Sequence, residues 1–204
     1  VTILHSPVAC RAARAEDRRR HLIDVARKLF TEHGFHATGV AQIAAASGIR
    51  VGQIYRDFSA KEDIVAAIVA VDLADFLDEA GLRAAVATRD ADAIRDWIGR
   101  FVRFDDPIEE CRLMTEIAAE AARNDRIAAI QRDTDVKINA LLATALEALA
   151  PGADRAAERE GIVSLILVLG MGLMYRRLVD PAGEAAVTRR IEALLDRELG
   201  ELLG

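Results

Sequence analysis

The stretch FHATGVAQIAAASGIRVGQIYRDFSAK, residues 35–61, decides how the rest of this chain reads. Val40, Ile43 and Ala44 share one face of a helix that opens near Gly39, an acceptable cap residue, with Gln42 three positions on to reach back to the first free amide. Ser47-Gly48 breaks that helix. A second short helix is expected over residues 50–57, with Ile54 and Phe58 turned to the same side as Ile49. Ser59-Ala60-Lys61-Glu62 has the form of a capping box and starts a longer helix through Ile64, Ile68, Val71 and Leu73.

With Ile54 turned inward, the 100° step of a helix leaves Gly52 and Arg56 on the opposite face, flanked by Gln53 and Tyr55. That set suits the major groove of DNA. Glycine permits close approach of the backbone, glutamine can read adenine bidentately, and tyrosine and arginine reach bases or phosphates. Thr38 stands where its hydroxyl can donate to a backbone phosphate. Lys61 falls in the first turn of the next helix, where free amides also favour a phosphate. The bland alternative is a small helical subdomain that Tyr55 and Arg56 merely decorate. Apolar spacing, the glycine at the turn, an aromatic-basic face and the cap agree jointly on a groove-reading helix.

Charge is distributed accordingly. The 204 residues carry a formal net charge of −6, which taken alone argues against a polyanionic partner. Residues 11–61, however, hold ten Arg/Lys against five Asp/Glu, net +5, whereas everything from Glu62 on holds 17 basic and 28 acidic residues, net −11. A basic head on an acidic body orients a molecule on a polyanion. Apolar residues make up 52% and aromatics only 4%, so a core can be buried and helices are favoured over strands.

Upstream, residues 1–15 read as a disordered leader, followed by a helix from Glu16 through Leu22, Ile23, Ala26, Leu29 and Phe30 that should stop at Gly34. Downstream, helices are expected over about residues 90–104, from Pro107, over 125–149, 154–179 and 184–203, with breaks at Pro151-Gly152 and Pro181-Ala182-Gly183, giving about nine in all. The domains are then residues 16–66 and 67–204, in an all-α fold. No signal peptide precedes Arg11, and the uncharged run 161–175 is shorter than the roughly 20 residues of a spanning helix, so no membrane partner and a cytoplasmic setting are expected. Cys10 and Cys111 have neither zinc-ligand spacing nor a disulfide framework. His33 and His36 flank the helix end at Gly34-Phe35, Glu109-Glu110 fall in the first turn of a helix, and no phosphate loop or nucleophile–base set occurs, so neither an enzyme, a metal site nor a cofactor is expected.

The segment from Gly34-Phe35 to Lys61-Glu62, with Thr38, Val40, Ile43-Ala44, Ser47-Gly48-Ile49, Gly52, Ile54-Tyr55 and Phe58, resembles the DNA-binding domain of the TetR (tetracycline-repressor) family of bacterial regulators; the close match covers residues 19–68. The resemblance implies a homodimer whose helix-turn-helix comprises residues 39–46 and 50–57, with Thr38, Val51, Gly52, Gln53, Tyr55, Arg56 and Lys61 meeting double-stranded DNA at a palindromic operator. Gly39 stands where the family usually has Thr or Ser, Gln42 where it has an acid, and Arg50 where Ser is common. Arg50 loses a cap and adds positive charge beside the DNA backbone.

The resemblance also implies that the last two helices pair with their copies in a four-helix bundle. Ile162, Leu165, Ile166, Leu169 and Leu173, joined by Ile191, Leu194 and Leu195, make a wide apolar surface for that purpose; an intramolecular core is the alternative. An effector pocket is expected inside the body, with Trp97, Phe101, Phe104, Met114, Ile117, Leu142, Met171 and Tyr175 as candidates to line it, core packing being the favoured role for each, and Arg112, Glu116, Glu120 and Asn139 as polar groups that can face inward. The implied function is a repressor released from its operator when a small hydrophobic or amphipathic molecule shifts the helix linking pocket to reader. The competing class is a helical carrier or interaction protein without DNA binding, which has no need of the basic head.

Overall fold

A computed structural model of the chain describes residues 7–103 and 107–204, and among them every regular element is helical, as expected. In chain order these are α1 (Pro7–Ala37), α2 (Val40–Ser47), α3 (Val51–Asp57), α4 (Lys61–Leu77), α5 (Glu79–Thr88), α6 (Ala91–Gly99), α7 (Ile108–Ala121), α8 (Asp125–Leu149), α9 (Ala156–Val179) and α10 (Glu184–Leu203), with a 3-10 turn at Ala153–Arg155 before α9. Of the disordered leader expected over residues 1–15, residues 1–6 lie outside the described residues, and the rest is helical, because α1 begins at Pro7 rather than Glu16. The helix expected to stop at Gly34 turns sharply there instead, because Gly34 has φ 80° and ψ 164°, which only glycine adopts at low cost. Asp78 adds a break that periodicity does not reveal. It sits at φ 39° and its carboxylate accepts a hydrogen bond from Gly81 N–H, so α4 ends and α5 restarts.

The chain divides into two compact units. The first takes the residues up to Asp72 together with Glu116–Ile130, and the second takes Leu73–Thr115 and Gln131–Gly204. The division therefore falls inside α4, α7 and α8, and the first unit extends past the expected limit at residue 66 and recruits a segment from far downstream.

In the first unit, α1 buries Leu22, Ile23, Ala26 and Phe30, and Ile43 of α2, Ile54 of α3, Phe58, and Ile64 and Ile68 of α4 are buried with them. A seven-residue helix such as α3 cannot stand alone. Ile54, 1% exposed, anchors it, a burial that contributes about 1.5–3 kcal/mol. In the second unit, Trp97 and Phe101 of α6 and the loop after it stack edge to face with centroids 5.2 Å apart, and Phe76 adds a second such pair at 5.0 Å. Trp97 Nε1 donates to the Leu77 carbonyl, which satisfies the one polar atom of a buried indole. Leu142, Leu146, Ile166, Leu173, Leu195, Leu199 and Leu202 complete this core.

The stretch Ala153–Val179 is long and apolar enough to cross a membrane by length and composition alone. Its apolar surface is divided between two faces. Ile162, Val163, Ile166, Gly170, Leu173 and Met174 are buried in the core of the second unit. Val168, Met171, Tyr175 and Val179, spaced three and four apart, form a separate exposed stripe, each more than half exposed.

Candidate nucleic-acid interface and regulatory surfaces

The turn between α2 and α3 is built by Ser47, Gly48 and Ile49. Gly48 takes φ 69°, the left-handed cap that ends α2, while Ser47 Oγ accepts from Ile49 N–H at 3.3 Å and donates to the Ala44 carbonyl at 3.4 Å. Neither Gly39 nor Arg50 contributes a side-chain cap, as their residue types imply. α4 is capped differently from the expected Ser59–Glu62 box. The cap lies one residue later, where Asp63 Oδ2 accepts from Ala60 N–H at 3.0 Å, leaving Glu62 to accept from the Asn124 amide at 3.0 Å.

With Ile54 buried, α3 presents Val51, Gly52, Tyr55 and Arg56 outward, and Arg50 precedes them on the same exposed end. Tyr55 is 53% exposed. Arg56 is exposed, and its Nε donates back to the Gly52 carbonyl at 3.2 Å. A Cβ built on Gly52 meets nothing within 4 Å. Gln53 is half-buried at the flank and its amide donates to both carboxylate oxygens of Asp57, at 3.2 and 3.3 Å. Arg18 of α1 reaches the same carboxylate at 3.3 Å. The acid of α3 is thus offset on two sides, and the face left open is apolar, aromatic and cationic.

Two expected contacts are corrected. Thr38 is fully buried and its hydroxyl donates to the carbonyls of Leu29 and Gly34, at 3.1 and 2.9 Å, so it staples the end of α1 and has no path to a phosphate. Lys61 turns inward as well. Its ammonium donates to the carbonyls of Phe35 and Thr38, at 2.6 and 3.0 Å, and lies 3.8 Å from the centroid of the Phe35 ring. Burial holds this ammonium below its ordinary 10.5, with the Glu62 and Glu120 carboxylates pulling the other way. The carbonyls left bare where α1 turns at Gly34 account for both corrections: each polar side chain within reach is drawn to them.

Two acids expected to face a regulatory pocket instead grip this same corner. Glu116 Oε1 accepts from Phe35 N–H at 3.0 Å, and Glu120, 2% exposed, lies 2.7 Å from His36 Nε2 and accepts from Arg123 Nε at 3.0 Å. No local signal in the sequence links Glu116 to Phe35 across 81 positions. Arg112 is exposed and pairs with Glu109 on its own helix.

The expected effector-pocket residues do not converge. Trp97, Phe101 and Leu142 are packed in the core of the second unit, Met114 is half-buried there, and Ile117 is buried in the first unit. Met171 and Tyr175 lie on the exposed stripe of α9, and Phe104 lies outside the described residues. An open groove of about 1220 Å³ runs between α8 and α9 instead, with Asn139, Thr144, Glu147, Arg159, Glu160 and Ser164 among its lining. The expected dimer face is corrected too. Ile162, Ile166, Leu173 and Leu195 are consumed by the chain's own core, Leu169 and Ile191 pack against it, and only Leu165 and Leu194 stay half-exposed beside it. The outcome for the α9 residues, Met171 and Tyr175 included, follows from one fact: α9 is apolar on two faces, and periodicity does not say which face meets its own chain.

Comparison with known proteins agrees with this architecture. The family model described as bacterial regulatory proteins, tetR family, matches residues 22–68, and that of the BetI-type transcriptional repressor, C-terminal, matches residues 91–204, more than half of the chain. The transcriptional repressor KstR2 of Rhodococcus jostii is 45% identical over 62 residues, 30% of this chain and 28% of that protein; several such curated relatives are matched over only about a quarter of their length. The transcriptional regulator UidR of Escherichia coli is 26% identical across 89% of this chain and 92% of its own. Among solved structures, Salmonella enterica GusR aligns with a TM-score of 0.66 at 22% identity, covering 99% of both chains, and the SmeT–triclosan complex with 0.71 at 20%, covering 91% of both. The fold, the outward face of α3 and the two family matches together place this chain in the TetR family of bacterial transcriptional regulators.

Proposed function

We propose that the protein is a homodimeric repressor that reads a palindromic operator with α3 and leaves it when a small hydrophobic or amphipathic molecule binds the second unit. The observation that carries the DNA-binding part is the outward face of α3: Arg50, Val51, Gly52, Tyr55 and Arg56 are exposed together on a helix whose only acid is already paired. A helix with that surface is complementary to base edges between two phosphate ridges. One such helix reads too few bases to select a site. A symmetric pair, with half-sites one helical turn or more apart, supplies the rest. Such a protein acts in the cytoplasm, where the chromosome is, and has no catalytic role.

The second copy has a surface to occupy. Val168, Met171, Tyr175 and Val179 form a continuous apolar stripe on α9, with Gly172 in line to let a second helix approach closely. Release by an effector is supported by chain connectivity. α4, α7 and α8 each run from one unit into the other, so a change of packing in the second unit is carried into the reader along covalently continuous helices. SmeT, a structural neighbour, is seen with triclosan, an apolar aromatic molecule, which accords with the effector class proposed.

The test is titration of labelled duplex from the region upstream of the protein's own gene, in rising salt. Steep loss of affinity with salt is expected. Arg56→Ala should weaken binding by about 1–3 kcal/mol per protomer while shifting unfolding free energy by less than about 1 kcal/mol. Absence of binding to any duplex at low ionic strength defeats the proposal.

A further inference from the structure

The helix-turn-helix leaves the amino-terminal turns of α1 without a role. α1 starts at Pro7, yet Leu22 is the first of its described side chains to be buried, and residues 13–20 are exposed or half-buried. A helical extension with no core to rest on is marginal by itself. Its side toward the reader follows a row. His21 Nε2 lies 3.2 Å from the Ser47 carbonyl oxygen, at the turn between α2 and α3. Three residues earlier, Arg18 meets Asp57 at the end of α3. Four residues earlier again comes Arg14, on the same side of the helix and about 6 Å further along its axis. Arg14 is exposed and has no acidic partner among the described residues.

The row therefore passes the turn, then the end of the recognition helix, and arrives with a free guanidinium beyond it. A helix seated in the major groove is flanked by phosphates, one charge per about 1.7 Å of duplex axis. Guanidinium is the side-chain group best matched to phosphate oxygens. We propose that Arg14 contacts a phosphate of the same duplex that α3 reads, so that the amino-terminal turns of α1 form a second DNA-contacting arm outside the helix-turn-helix. Arg18 has a supporting part: by pairing with Asp57 it offsets the carboxylate at the end of α3. This inference rests on the DNA-binding reading above.

The experiment uses the full chain and a fluorescein-labelled random-sequence duplex, with affinity measured by anisotropy over a fourfold range of KCl. Each lost phosphate contact lowers the salt slope by about 0.9, so the parent should lose about 3.5-fold more affinity than Arg14→Ala across that range, for each protomer bound. Arg14→Lys should restore the parental slope, because a phosphate needs only the charge. Arg83→Ala, which removes an exposed arginine from the second unit, should leave it unchanged. A parental slope for Arg14→Ala, or failure of Arg14→Lys to restore it at equal helical content by circular dichroism, overturns the arm and leaves the reader standing. A parent that binds no duplex overturns both.

Discussion

Gly52→Ala separates what α3 does for the fold from what it does for DNA. Gly52 lies within a regular helix and is not among the positive-φ residues, and a Cβ placed on it meets nothing within 4 Å. Inside this chain, then, alanine fits without displacing any atom. Removing a glycine from a helix interior gains about 0.5–1 kcal/mol, chiefly through the entropy of the unfolded chain. For a protein of this size that corresponds to a rise of roughly 1–4 °C in Tm. The DNA-bound state should respond in the opposite direction. A methyl inserted into a closely packed contact costs about 1–3 kcal/mol, and the cost is incurred twice in a symmetric dimer, so affinity for the duplex should fall by at least about thirtyfold. Thermal unfolding followed by circular dichroism gives the first quantity, and anisotropy titration of a labelled operator duplex gives the second. Raised Tm with parental affinity would refute the close approach of the α3 backbone to DNA. A lowered Tm would refute the reading of open space around Gly52.

Other perturbations probe the supporting structure. Lys61→Met should destabilise the first unit by about 1–3 kcal/mol in urea unfolding, because two carbonyls lose a charged donor, while the salt slope of DNA binding keeps its parental value; a slope reduced by about 0.9 per protomer would return Lys61 to the phosphate backbone. Glu62 should make stability fall in acid. Burial by itself would raise its carboxyl, but the Asn124 amide, its own backbone amide and the charges of Arg126 and Lys61 outweigh that and hold it below the ordinary 4.5. The folded state thus binds the proton less readily than the unfolded chain, and the stabilisation is complete above pH 4.5 and lost as pH falls through the folded value. Unfolding free energies from neutral pH to pH 3 should converge for the parent and Glu62→Gln below about pH 4.5, and parallel curves would count against the pairing. Met171→Glu places a charge in the exposed stripe of α9 and should convert the proposed dimer to monomer in sedimentation velocity with little change in helical content; a persistent dimer would move the interface elsewhere.

The reader was legible because its signals are local. Ser47-Gly48 between two apolar-periodic segments announces a turn, and Ile54 at the inward position dictates that Gly52, Tyr55 and Arg56 face out. No contact beyond a few residues is needed for that inference. Thr38 and Lys61 were legible as polar groups beside the motif, but their destination was not. The carbonyls that claim them are bared by the turn of α1 at Gly34, so the choice between solvent and backbone exists only once α1, α2 and α4 are packed. Glu116 and Glu120 lay further out of reach, since their partners at Phe35 and His36 are brought near only by the return of α7 to the first unit.

Residue order alone determined the helical class, the site of the helix-turn-helix and the side of α3 that is offered outward, since 3.6-residue periodicity, caps and turn glycines act over a few positions at a time. Only the tertiary structure decided which apolar face of α9 is spent on its own chain and which is left free: Ile166 and Leu173 went inside, Val168 and Tyr175 stayed out. Both faces are hydrophobic, so composition does not distinguish them. Packing does, because side chains of one face are buried in a single cluster with residues of α8 and α10, while those of the other remain more than half exposed.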